Sequence, residues 1–233
     1  MKRTLIALAI VLPALAPRPA SAQVSIWLQR GVSGYAGALT FGASSTATTF
    51  GVAGGYSYEG YLELDLNLNY INYDKDSFAG ASVHAFAVAP AVQYHPLKQS
   101  AEMPVSLGLT AQVAKLFFSS SDLDSIDTSL SETDLSVNAS VYRFVKLTSN
   151  IGIIPAGGVG VTHSWASVSS PLGDVNNDDT SISLAFGAYL AYIDDAGRIW
   201  GLVPSVTVNI PTCDRCDTVT VFGLELGLII SQQ

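Results

Sequence analysis

The stretch of residues 61–74, YLELDLNLNYINYD, decides the fold because its side chains change character at every step. Leu62, Leu64, Leu66 and Leu68 would share one side of an extended chain, and the acidic and amide residues between them would share the other. A helix would spread both sets around its circumference, because its period is about 3.6 residues. The stretch is therefore predicted to be a β-strand.

The same alternation recurs along most of the chain and is interrupted by short polar segments. Most of the predicted strands exceed the roughly 9–11 residues that a tilted strand needs to cross a bilayer, and soluble strands usually have about 5–6 residues. The strands are predicted at residues 33–44, 46–58, 61–74, 82–95, 103–118, 132–145, 151–165, 180–193, 198–210 and 218–231. The count is therefore about ten, with eight and twelve left open.

The two sides of these strands differ in size as well as polarity. One side carries mostly Leu, Phe, Val and Ile, and the other carries mostly Gly, Ala, Ser, Thr and Asn. The bulky set would overfill the inside of a small barrel, and the small set would make a poor solvent coat. The sequence thus predicts an all-β, antiparallel up-and-down transmembrane β-barrel, with bulky side chains facing lipid and small polar ones facing the lumen. A soluble barrel with the apolar side inward is the alternative.

The first residues have the three parts of a secretory signal peptide. Lys2 and Arg3 precede an apolar run at residues 4–16, and small residues at 20–22 form a cleavage site. We expect a signal peptide at residues 1–22 and one barrel domain at residues 23–233. Without the signal, 8 basic residues stand against 19 acidic ones, a net charge near −11. This sign argues against nucleic acid as a partner, because phosphates are bound by Lys and Arg.

The connections between the predicted strands alternate in length. Those at residues 59–60, 147–150 and 194–197 are tight, whereas those at 119–132 and 167–180 are long and acidic. Short periplasmic turns with longer external loops are typical of outer-membrane barrels. Aromatic residues near strand ends, where interfacial girdles are expected, are Tyr56, Tyr58, Tyr70, Tyr94, Trp165, Tyr192 and Trp200.

With this pattern, residues 31–233 resemble the small bacterial outer-membrane β-barrel superfamily of OmpA-like and OmpX-like barrels. The resemblance implies the outer membrane of a Gram-negative bacterium as the location, with its lipids and the barrel-assembly machinery as partners. It is a resemblance of pattern, without a diagnostic motif. The chain departs from it by finishing in Ser231, Gln232 and Gln233, where such proteins usually end in an aromatic residue.

The residues predicted to line the lumen are Glu63, Asp65, Asn67, Asn69, Tyr142 and Glu225. Carboxylates in a water-filled pore would favour cations. The same residues could instead form a hydrogen-bonded network inside a barrel too narrow to conduct. Both interpretations stay open at this point.

Cys213 and Cys216 are the only cysteines and lie in the last predicted connection. Zinc would need further ligands, which the sequence does not supply nearby. In an exported protein, the spacing favours a disulfide that braces an external loop.

Residues 173–179, GDVNNDD, resemble the beginning of a calcium-binding loop. Asp174, Asn176 and Asp178 would supply ligands at positions 1, 3 and 5. Asp179 and Ala185 replace the glycine and the bidentate glutamate that such a loop requires. The match makes calcium a weak candidate, and otherwise no cofactor is expected.

Catalytic residues are not predicted. His84, His163 and Ser164 lie near outer strand ends, and acidic residues follow in the next loop, but no spacing forms a recognised nucleophile–base set.

The first functional expectation is a non-catalytic outer-membrane barrel with a structural or surface-interaction role and an unidentified surface partner. The alternatives are a narrow, porin-like passive channel for small solutes, with a preference for cations, and a soluble periplasmic barrel that binds an apolar ligand.

Overall fold

The computed structural model describes residues 31–75, 80–121, 127–171, 173–212 and 217–232. The expected signal peptide lies outside the described residues.

The described chain forms one antiparallel sheet that closes on itself. β1 pairs with both β2 and β11, and β6 pairs with β8, so the wall has no open edge. The short β7 follows β6 and pairs with the same strand β8, so that β6 and β7 together make one of ten barrel strands. The strands are β1 Ser33–Ala43, β2 Ala47–Tyr58, β3 Leu62–Tyr73, β4 His84–Leu97, β5 Ser106–Ser119, β6 Ser129–Tyr142, β7 Val145–Lys146, β8 Ile151–Ser169, β9 Val175–Ile193, β10 Ile199–Pro211 and β11 Val219–Gln232.

The prediction of a ten-stranded antiparallel barrel is confirmed. We call the rim where β1 begins and β11 ends the inner rim, and the opposite one the outer rim. No helix in the described part of the chain is long and apolar enough to span a membrane.

The orientation of the two strand faces is confirmed as well. On β3, Leu64 is 56% exposed, whereas its neighbours Glu63 and Asp65 are 0% and 5% exposed. The largest exposed apolar side chains, from several strands, include Leu39, Phe50, Phe186, Phe222 and Leu226. Because the bulky side chains cover the outside, the alternative of a soluble barrel with an apolar interior is wrong.

Aromatic side chains follow the same rule near the strand ends. Tyr58 and Tyr94 near the inner rim are 54% and 50% exposed, and Tyr70 and Trp165 near the outer rim are 47% and 46% exposed. All four point away from the barrel. Tyr58, Tyr94 and Tyr70 lie where headgroups would meet the wall, and Trp165 lies further out, on the β8–β9 hairpin opposite Asp178.

The tight turn between β2 and β3 shows how the inner rim is built. The amide of Tyr61 donates to the carbonyl oxygen of Tyr58 at 3.0 Å, and the two residues between them, Glu59 and Gly60, have φ values of 50° and 67°. Two positive φ values in succession are the signature of the type I′ turn, whose twist matches that of the flanking strands.

The hairpin of β8 and β9 is longer than the sequence pattern predicts. Each strand has 19 residues, and the ladder continues to the pair Val168 and Val175. Most of the predicted loop at 167–180 is therefore paired backbone. The alternation fades there because both faces carry polar side chains. The ladder of β9 with β10 ends at the pair Ser181 and Pro211, so residues 175–180 of β9 run beyond the outer end of β10 by roughly 20 Å at about 3.3 Å per residue.

Candidate functional site

The barrel interior collects most of the buried polar side chains. The structure places all six residues predicted for the lumen on inward-facing positions, with exposures between 0% and 6%: Glu63, Asp65, Asn67, Asn69, Tyr142 and Glu225. These residues are packed against neighbouring side chains instead of standing in a wide aqueous passage. Their role as pore-lining groups stays a prediction.

A polar network fills the interior near the inner rim. We call Glu63, Asp65, Gln93, His95, Lys98 and Tyr142 the inner network. Gln93 Nε2 donates to Asp65 Oδ2 at 2.7 Å, and the Tyr142 hydroxyl is hydrogen-bonded to His95 Nδ1 at 2.8 Å. The Nζ atom of Lys98 lies 5.8 Å from the centre of the Tyr142 ring, a cation–π distance.

Lys98 belongs to this network although it follows the end of β4. Burial lowers the pKa of the Lys98 ammonium to about 8, and the nearby Glu63 carboxyl acts in the opposite direction. Among the described residues Lys98 is the one buried lysine, and it lies at the inner end of a lumen that is otherwise rich in carboxyl groups. Sequence analysis missed Gln93, His95 and Lys98 as members of the network, although Gln93 and His95 lie on the inward side of the same predicted strand.

Inward-facing glycines make room for long polar side chains on the neighbouring strand. A Cβ added at Gly55 would overlap Asp65 Oδ1, and one added at Gly51 would overlap Asn69 Oδ1. These glycines pair in register with the residues they accommodate, Gly55 with Asp65 and Gly51 with Asn69. The small residues of the inward face thus leave the space that the polar side chains of the network occupy.

The interior near the outer rim is apolar on one side. Residues of β2 to β6 and β8 pack into one buried cluster that consists mainly of Ala47, Ile71, Tyr73, Val83, Ala85, Ala87, Ala89, Ala114, Leu116, Leu130 and Val168. The alanines of β4 leave space for the larger side chains opposite. This apolar cluster occupies the part of the lumen that lies against β3, β4 and β5.

A cavity of about 200 Å³ remains on the other side of the lumen. Its lining comes from β1, β2, β5, β6 and β8 to β11, and none of it comes from β3 or β4 among the described residues. Hydroxyl and amide side chains dominate it, namely Thr40, Thr49, Thr110, Gln112, Ser136, Asn138, Ser140, Thr162, Ser183, Ser205, Thr207 and Asn209. Glu225 and Tyr189 also reach the lining. Sequence analysis found the small polar face but not that it encloses a separate space.

The outer hairpin carries the histidine that sequence analysis weighed for catalysis. His163 Nδ1 is hydrogen-bonded to Thr180 Oγ1 at 2.8 Å, and the His163 ring stands edge-on to Trp165 with centroids 4.4 Å apart. Ser164 is 2% exposed and faces the lumen, because neighbours in a strand point to opposite faces. His163 and Ser164 therefore cannot act as one catalytic pair.

The weak calcium candidate lies mostly on the same hairpin. Asn176 and Asp178 belong to β9, and Asp174 precedes it. Alternate residues of an extended strand are about 6.6 Å apart, whereas a calcium loop curls its ligands around one point. Within the described residues, no three side chains of the His, Cys, Asp and Glu types converge as a metal site would require. Calcium binding stays an untested prediction.

The predicted disulfide between Cys213 and Cys216 lies outside the described residues and stays a prediction.

The turn between β9 and β10 is held by Asp194. Partial burial raises the pKa of Asp194, but hydrogen bonds from the Arg198 backbone amide, the Arg198 side chain and Trp200 outweigh this, so that the net pKa is lowered. The Arg198 Nε atom donates to Asp194 Oδ2 at 2.7 Å.

Comparison with known proteins bears on the barrel as a whole. No protein-family profile and no curated protein sequence matches the chain. Among solved structures, the β domain of the Bordetella autotransporter BrkA is similar with a TM-score of 0.56 and 10% sequence identity, over 86% of this chain and 100% of that one. The chain has the fold of an outer-membrane β-barrel.

Two further outer-membrane barrels are similar at lower scores. The N-terminal β-barrel domain of Pseudomonas aeruginosa OprF has a TM-score of 0.39 and 13% identity, over 87% of this chain and 100% of that one. Neisserial surface protein A has a TM-score of 0.40 and 14% identity, over 85% and 95%. The outward-facing apolar side chains of the barrel wall form the lipid-facing surface that this fold requires.

Proposed function

We propose that this outer-membrane β-barrel is a non-conducting, non-catalytic protein that acts through its structure in the membrane and through its outer surface. The observation that carries the proposal is the packed interior. Near the inner rim, Glu63, Gln93 and His95 are at most 1% exposed, and near the outer rim Ile71 and Val83 are equally buried. Ions need a continuous aqueous path. The outer cluster narrows the lumen on the side of β3 to β5, and the packed side chains near the inner rim, with Tyr142 and Ile154 beneath the cavity, oppose such a path.

The long β8–β9 hairpin supports the surface role. Its outward side presents Trp165 with 46% exposure, and the Asp178 side chain beside it is 74% exposed. The acidic residues of this hairpin agree with the net negative charge of the chain. An aromatic group beside exposed polar groups is a common composition of protein contact surfaces. The proposal needs no cofactor.

Recordings in planar bilayers test the absence of conduction. The purified, folded wild-type barrel is expected to give no discrete conductance steps. The positive control combines Tyr142→Ala and Tyr189→Ala, which remove two of the largest interior side chains near the inner rim. Its folded state is checked by heat-modifiability on gels. Conductance steps from folded wild-type protein would contradict the proposal and favour the narrow passive channel, whose supporting observation is the central cavity of about 200 Å³.

The surface role is tested by removing the outer part of the β8–β9 hairpin from the pair Trp165 and Asp178 outward, with that pair included. Cells that lack the protein are complemented with either the full or the shortened barrel, and envelope integrity is measured as resistance to a bulky antibiotic and to detergent. Cell adhesion is measured in parallel. A surface role predicts that the shortened barrel restores integrity but not adhesion. A shortened barrel with full adhesion would contradict a role for this hairpin.

A further inference from the structure

The central cavity has polar groups that the protein itself leaves without a hydrogen bond. The Thr49 hydroxyl, the Gln112 Nε2 atom and the Asn209 Oδ1 atom are buried and have no hydrogen-bond partner in the chain. All three residues line the cavity, and Thr49 and Asn209 are only 4% and 7% exposed. A buried polar group without a partner costs about 1–3 kcal/mol. These atoms have almost no accessible surface, so a turn of each side chain toward the cavity would let a bound molecule supply the missing hydrogen bonds.

The three groups come from separate parts of the wall, since Thr49 lies on β2, Gln112 on β5 and Asn209 on β10. An occupant must accept a hydrogen bond from the Gln112 amide nitrogen and donate one to the Asn209 oxygen. A hydroxyl group does both, because it carries one donor and two acceptor positions. If either amide were turned over, a hydroxyl would still satisfy it.

The charge of the lining narrows the ligand class further. No Lys, Arg or His is among the cavity-lining residues in the described parts of the chain, and Glu225 is the only carboxylate there. Anions are therefore disfavoured, since nothing positive would compensate them. With nine Ser and Thr hydroxyl groups around a single carboxylate, the lining suits an uncharged ligand.

The cavity lining also combines apolar and polar surface, which suits an organic ligand better than water alone. The Tyr189 ring, Val203 and Val221 contribute apolar surface beside the hydroxyl and amide groups. Such a lining matches a molecule that carries both C–H faces and hydroxyl groups. At about 30 Å³ for each water in the liquid, 200 Å³ corresponds to about six or seven waters, which is the scale of a small polyol.

Access is favoured from the outer rim. Asn209 and Val221 line the cavity only two residues from the outer ends of β10 and β11. Toward the inner rim the lining stops on β9 and β10 at Tyr189 and Val203, each four residues from the inner end of its strand, and on β6 it reaches Ser140, two residues from the inner end. Tyr142 and Ile154 pack with these two side chains beneath the cavity. The space is thus a pocket with a floor.

We propose that the central cavity is a binding site for a small neutral polyhydroxyl compound, entered from the outer rim. The site goes beyond the proposed structural and surface role and does not require conduction. Its ligand class is set by unpartnered amide and hydroxyl groups, the absence of basic side chains in the lining and the apolar floor.

Ligand-observed NMR with xylitol as the probe tests the proposal. The full mature barrel is folded in a phosphocholine detergent, because sugar-based detergents would compete. Saturation transfer from the protein to xylitol is measured, and potassium and ammonium chloride are added in competition. We expect transfer that xylitol saturates and that neither cation displaces. Absence of transfer would mean a water-filled cavity only, and displacement by a cation would mean a cation site; both outcomes overturn the proposal.

Two near-isosteric variants locate the site. Thr49→Val and Asn209→Leu each remove an unpartnered polar atom, and each is expected to weaken xylitol binding about tenfold, the effect of one lost hydrogen bond. Stability should be unchanged or higher, because no bond within the protein is lost. Asn67→Leu is the matched control: Asn67 also has a buried Oδ1 atom without a partner, but it lies outside the cavity lining, and its Nδ2 atom donates to the Ala89 carbonyl oxygen at 3.4 Å. It should lower stability and leave binding unchanged. Equal binding by all three variants would refute the assignment.

Discussion

Gly55→Ala is expected to destabilise the barrel strongly, although glycine to alanine in a strand usually stabilises. The new Cβ would overlap Asp65 Oδ1 and would lie 3.1 Å from the carbonyl oxygen of Leu64. The backbone atom cannot move without breaking the ladder, so the Asp65 carboxyl must turn away from Gln93. The 2.7 Å hydrogen bond between them is then lost inside the barrel.

The magnitude follows from three contributions. Leaving the buried Gln93 amide without its partner costs about 1–3 kcal/mol, and overpacking costs about 1–3 kcal/mol. Replacing glycine by alanine in a strand returns about 0.5–1 kcal/mol. We therefore expect Gly55→Ala to lower the free energy of unfolding by about 3 kcal/mol, roughly a hundredfold in the folding equilibrium.

The neighbouring residue on the same strand is the control. A Cβ added at Gly54 would point outward and meet nothing closer than the Ala36 carbonyl oxygen at 3.7 Å. Gly54→Ala should leave stability unchanged or raise it by up to about 1 kcal/mol. Both variants are unfolded with urea in lipid vesicles, and tryptophan fluorescence reports the unfolding.

A double variant separates the overlap from other effects. In Gly55→Ala with Asp65→Ala, the carboxyl that the new Cβ would meet is absent, so the two substitutions should cost clearly less together than the sum of their separate costs. Equal stability of Gly55→Ala and Gly54→Ala, or strict additivity in the double variant, would refute the view that inward glycines seat the polar network.

Three further predictions concern the belt, the interior and the inner rim. Leu66→Arg, in the middle of the lipid-facing side of β3, should destabilise the barrel by about 2–4 kcal/mol, and Leu62→Arg near the rim by about 0–1 kcal/mol. Equal losses of stability in vesicle unfolding would contradict the view that position 66 lies deeper in the bilayer than position 62. Thr162→Val removes the buried 2.6 Å hydrogen bond to Ser136 and should cost about 1 kcal/mol in the same assay, whereas no loss would show that the bond does not stabilise. Because the folded pKa of Asp194 is lowered, its stabilisation is present above its unfolded pKa and is lost as the pH falls through the folded pKa. Asp194→Asn should therefore differ from wild type at neutral pH and converge with it in acid, and a difference that persists in acid would contradict this.

The positions of the strands could be predicted from the sequence because one side of each strand faces lipid and the other faces a narrow lumen. This requirement imposes a period of two, and Leu62 to Leu68 display it without interruption. Residue size then predicted which face of each strand points out of the barrel, because the bulky side chains would overfill its interior. The length of the outer hairpin could not be predicted, because residues 175–179 lie beyond the belt, where both faces tolerate polar side chains.

The interior could be predicted in kind but not in its contacts. Glu63 and Asp65 were expected inside, but the partner Gln93 depends on the register of β3 with β4, which the ten-residue connection between these strands does not reveal. The cavity depends on which polar side chains lean over glycines, as Asn138 does over Gly160. The contact between such a side chain and a glycine depends on how two neighbouring strands pair, and the sequence pattern of one strand does not predict it.

The central claim is that the bulky side of every strand faces acyl chains and the small polar side faces the lumen. Spin labels placed one at a time at positions 62–69 of β3, in vesicles, test it directly through their accessibility to oxygen dissolved in the bilayer. Labels at Leu64, Leu66 and Leu68 should be highly accessible, and labels at Glu63, Asp65 and Asn67 should be protected. A uniform accessibility, or the opposite alternation, would contradict the account.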